Sequence, residues 1–173
     1  ESFQINKITM GQKIIPIHNQ SIQQISKNSL MKRYAPTNCM LYASEIKSVS
    51  DAMVKDSHSI GKIQREQSKN FTEGLLLYWL IYLNEILNLK NSMSEEQMKL
   101  ASQLICEEFY MLKMSELTLL FKRIISGQYG KFYERLDIPT ILTCFREYLE
   151  ERFEIAIDQS SRNHRDLKQN ENN

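Results

Sequence analysis

The chain has 173 residues and a formal net charge of +1, enough for one ordinary domain with its own core. Five glycines and three prolines are few for the tight turns of an all-β protein, whereas the abundant Leu, Ile, Met, Lys, Glu and Gln suit helices. Cys39, Cys106 and Cys144 are odd in number and far apart, which argues against a disulfide framework or a CxxC metal site and fits a reducing, cytoplasmic setting. The expected class is all-α: a compact bundle of about five helices with an extended N-terminal arm and a disordered C-terminal tail.

Charge is uneven. Residues 1–70 hold ten Lys/Arg against five Asp/Glu, and residues 71–173 hold twelve against sixteen. The asymmetry marks either an arm that meets an anion or two halves that attract each other. No signal peptide is read at the start. The longest apolar run, Leu75 to Leu83, falls far short of the roughly 20 residues that span a bilayer, so no membrane partner is expected.

Residues 4–17 are β-branched, contain Gly11 and Pro16 and lack a helical period. They read as an extended arm over 1–20, either a bare terminus or an element that docks on a neighbouring subunit. Residues 21–70 read as peripheral helices and a polar linker. A weak helix over 21–34 is broken by Pro36, and Thr37 then caps a second helix carrying Ile46, Val49 and Met53. Lys55 to Asn70 is nearly devoid of apolar residues and reads as a solvated helix face or linker, the best domain boundary in the chain.

The core is expected over 72–157. Thr72 caps a helix to about Asn88 that is apolar almost all round, the mark of a central helix. Ser94 and Gln97 form a capping box for a helix to about Lys113. Ser115 opens another, with Leu117, Leu120, Phe121, Ile124 and Ile125 inward and Gly127 at its left-handed end. After a connector, Asp137 caps a last helix, with Pro139 tolerated in its first turn. Residues 158–173 read as a solvated helix end fading into a polar tail.

Searches for chemistry are mostly negative. The chain has no phosphate-binding glycine loop, no H-E-x-x-H and no nucleophile elbow. His18, His58 and His164 all fall in polar segments expected to be mobile. Glu147, Glu150, Glu151 and Glu154 form a carboxylate stripe, read as a solvated face in preference to a metal site. The expectation is a protein without catalytic residues, metal or cofactor.

The most distinctive stretch runs from Phe121 to Asp137. Tyr129 and Tyr133 stand among Lys122, Arg123, Lys131 and Arg135, between and beyond two glycines. Rings that stack on bases and cations that meet phosphates would grip a single-stranded nucleic acid. The alternative is a tight interhelical turn in which Tyr129, Phe132 and Tyr133 plug the end of the bundle while the cations snorkel. Those six residues, Lys122, Arg123, Tyr129, Lys131, Tyr133 and Arg135, are the candidate contacts for a nucleic acid or a protein partner.

The pattern Gly127-x-Tyr129-Gly130-x-x-Tyr133-x-x-x-Asp137, followed by Tyr148-x-x-Glu151-Arg152, resembles uncharacterised helical proteins of Bacteroides-type bacteria, their phages and mobile elements, over residues 94–157. The layout is also distantly similar to phage helicase-loader domains, although no ATPase motif accompanies it. The resemblance implies a non-enzymatic accessory protein of a phage or mobile element that binds a replication protein, DNA or both. The alternative is a structural or scaffolding protein that binds itself through the N-terminal arm.

Overall fold

The computed structural model describes residues 27–130 and 135–171, apart from the side chains at 163, 164 and 166–171. The arm expected over 1–20 therefore lies outside the described residues, as do residues 21–26 of the first expected helix.

The fold is all-α. Residues 27–33 form α1. There follow α2 (Pro36–Leu41), a 3-10 turn (Ala43–Glu45), α3 (Val49–Val54), α4 (Ile60–Glu66), α5 (Lys69–Leu87), α6 (Glu95–Glu108), α7 (Met114–Ile125) and α8 (Ile138–Glu171). Among the described residues there is no strand, and two isolated bridges, Ser59 to Lys113 and Asn91 to Arg135, tie loops together.

Local chemistry sets several boundaries where the sequence marks them. Ser94 accepts from the Gln97 amide while the Gln97 side chain accepts from the Ser94 amide at 2.9 Å, closing the capping box of α6. Asp137 Oδ1 accepts from the Thr140 amide at 3.0 Å and opens α8. Gly127 ends α7 with φ +77°, a conformation that costs glycine nothing and other residues about 1 kcal/mol or more.

Elsewhere tertiary structure overrides the sequence pattern. The helix expected from Thr37 through Met53 is split into α2, the 3-10 turn and α3. Pro36, having no amide hydrogen to lose, starts α2 at its first position. A second capping box, Ser48 with Asp51, then opens α3 afresh. The helix expected to start at Thr72 starts earlier, at Lys69, because Ser68 accepts from the Phe71 amide at 3.1 Å; Thr72 is buried one turn in.

The stretch from 55 to 70, expected to be a linker or solvated face, carries a packed helix. Ile60 and Ile63 of α4 are fully buried, and two isoleucines suffice because the helix is barely two turns long. Its start pairs with the segment between α6 and α7: the Ile60 amide donates to Leu112 O at 2.9 Å and the Gly61 amide to Tyr110 O at 2.7 Å. This pairing ends α6 at Glu108 rather than near Lys113. A Cβ on Gly61 would stand 3.1 Å from Tyr110 O, so the close approach needs glycine.

The central helix is α7, not α5. Every residue from Met114 to Phe121 is buried, and α7 touches α2, the 3-10 turn, α3, α5 and α8. α5, apolar almost all round, leaves Tyr78 and Ile86 exposed. The aromatic core joins the helices: Trp79 of α5 meets Phe121 of α7 edge-on at 4.9 Å, and Phe145 of α8 packs on both Phe121 and Phe109. Trp79 Nε1 also donates to Tyr34 O at 2.9 Å, fastening the N-terminal helices to the bundle.

α8 spans 34 residues, about 51 Å at 1.5 Å per residue. It carries on as helix through residues 158–171, the region read as a fading helix end and tail. From Ser160 onward every side chain that is described is exposed.

Candidate functional site

The cations expected to face a ligand are engaged inside the molecule. Lys122, on the last turns of α7, donates from Nζ to Ala43 O at 3.0 Å and Ile46 O at 3.2 Å, bridging the first residue of the 3-10 turn and the residue that follows it. Arg123 makes a two-pronged pair with Glu151 of α8, at 2.5 and 3.1 Å. Its guanidinium also lies 5.7 Å from the centre of the Tyr148 ring. The Glu151 carboxylate raises the Arg123 pKa further above its ordinary value.

Tyr129 is half-buried against the core. Its hydroxyl is buried beside the Arg123 guanidinium without reaching hydrogen-bond geometry, and burial raises its pKa. Of the two readings of the connector, Tyr129 therefore follows the plug. Arg135 is exposed and pairs with Asp137, far from Lys122's carbonyls in the chain. Lys131 and Tyr133 lie outside the described residues. The structure thus brings Arg123 and Tyr129 together and turns Lys122 to a different neighbour.

The carboxylate stripe divides in the same way. Glu151 is taken by Arg123, while Glu147, Glu150 and Glu154 are exposed. A carboxylate that the sequence did not flag, Glu116, is fully buried between α7 and α8. Arg152 Nε donates to its Oε1 at 2.6 Å, and the Lys113 amide donates to its Oε2 at 2.9 Å. The available signal was its position three residues past Lys113, where a carboxylate can close the start of a helix. Both arginine–carboxylate pairs lock α8 onto α7, so they are architectural.

His58 is likewise not in a mobile segment. Its Nδ1 is 2.6 Å from the Tyr34 hydroxyl, its amide donates to that hydroxyl at 2.9 Å, and its Nε2 is 3.3 Å from Glu66. The chain of carboxylate, imidazole and phenol superficially resembles a proton relay. Its last member is almost fully buried, with the oxygen already receiving the amide, so it braces α1 against the start of α4. The Cys106 and Cys144 thiols are buried, and burial pushes both up to about 12, which keeps them protonated and inert near neutrality. Among the described residues no group of three or more His, Cys, Asp or Glu is placed to hold a metal.

Besides a hollow of about 270 Å³ beside the connector, lined by Leu87, Ile124, Gly127 and Gly130, a groove lies where α1 and α2 meet the N-terminal half of α7. This groove of about 250 Å³ is walled by Tyr34, Cys39 and Tyr42 on one side and Met114 and Thr118 on the other, with Ile46 also lining it. Arg33, Lys55 and Asp56 stand at it as charged groups. Its polar wall is internally satisfied: Ser57 Oγ is 2.7 Å from Ser115 Oγ, which also lies 2.7 Å from Ala52 O. Leu41 and Tyr42, at 73 and 60% exposure, are among the most exposed large apolar residues of the described chain. No local pattern marks this groove, since its two walls come from segments more than 70 residues apart.

Residues 92–170 match the model of a family of unknown function, DUF6633. The match covers less than half of the chain: α6, α7 and most of α8, with the α7–α8 connector between them. Neither the curated proteins nor the solved structures contain a match. Among the described residues no helix is long and apolar enough to cross a membrane.

Proposed function

We propose that the chain is a non-enzymatic accessory protein that docks on another protein through the groove between α1–α2 and α7. The observation that carries this reading is the groove itself. At about 250 Å³ it is smaller than the roughly 300–1,000 Å³ usual for small-molecule sites. It is large enough for an anchoring apolar side chain of a partner, and buried aromatic or aliphatic anchors commonly dominate protein interfaces. Exposed Leu41 and Tyr42 would supply apolar surface around such an anchor. The partner class that the resemblance implies is a replication protein of a phage or mobile element, in the cytoplasm.

A protein partner is favoured over nucleic acid because Lys122, Arg123 and Arg135 each already have an internal acceptor. The test is a nuclease-treated affinity capture from the native host, made in parallel with wild-type chain and with the variant Leu41→Ser plus Tyr42→Ser. Both residues are exposed, so the fold should be kept. A replication protein captured by wild type and lost with the variant supports the proposal. Equal capture by both, or capture abolished by nuclease, overturns it.

A further inference from the structure

We draw no further inference here: the strongest candidate, the exposed apolar strip of Phe153 and Ile157 midway along α8, is a helix face for which nothing in the structure shows what covers it.

Discussion

α5 and α7 invert what their sequences advertise. α5 carries nine consecutive apolar residues, Leu75 to Leu83, yet one of its faces meets solvent at Tyr78 and Ile86. α7 carries Glu116, Lys122 and Arg123, yet eight consecutive residues from Met114 are buried. The difference shows that burial is decided by how many neighbours surround a helix and by whether its polar groups find partners. Glu116 meets Arg152 and the Lys113 amide, Lys122 meets two carbonyls, and Ser115 meets Ser57 and Ala52 O. A paired polar group can sit in the core, whereas an unpaired one costs several kcal/mol.

The sharpest test of that contrast is truncation on each helix. Phe121→Ala should cost about 3–5 kcal/mol, the usual range for a fully buried aromatic, and Ile86→Ala on the exposed face of α5 about 0.5 kcal/mol or less. Urea denaturation measures both. Comparable losses at the two sites would break the comparison.

The second test separates pairing from burial. Glu116→Gln should cost about 3 kcal/mol, because Arg152 is left with its charge largely desolvated. Glu116→Leu combined with Arg152→Met should recover most of that loss, since an apolar pair of similar volume removes both desolvation penalties. A double variant as unstable as Glu116→Gln would show that the ion pair itself stabilises the helix interface.

An effect smaller than either core change is expected at the surface, at the cap of α8. Asp137 accepts from the Thr140 hydroxyl and amide and pairs with Arg135, and these interactions hold its pKa below the ordinary value, the Thr140 hydroxyl contributing most. A carboxylate with a depressed folded pKa stabilises the fold fully above its unfolded pKa, about 3.9, and loses that contribution as pH falls through the folded value. Asp137→Ala should therefore cost about 1 kcal/mol at pH 7. The gap from wild type should close as the pH is taken below 3.9 in denaturation curves. A gap that persisted in acid would assign the effect to helix propensity rather than to the cap.

Much of the bundle was legible because its signals are local. The Ser94–Gln97 box, the Asp137 cap, the Gly127 stop and the inward stripe of α7 each involve residues within a few positions of one another. Three features were not legible. α4 is recognisable only by two isoleucines; it packs on α5, and its first amides pair with Leu112 and Tyr110, roughly 50 residues later. The exposed end of α8 reads as a fading polar helix and yet continues to Glu171. The candidate contacts around Tyr129 were chosen by composition, which cannot tell a cation facing solvent from one facing Ala43 O or Glu151.

By itself the sequence determined the helical class, the caps of α6 and α8 and the stop of α7, and an apolar core over its second half. Those follow from interactions along one helix or across one turn. Only the tertiary structure decided which helix is central, where Lys122, Arg123 and Glu116 point, and where the groove and the uncovered face of α8 lie. Each of these depends on side chains brought together from distant parts of the chain, and periodicity within one segment carries no record of what the fold sets against it.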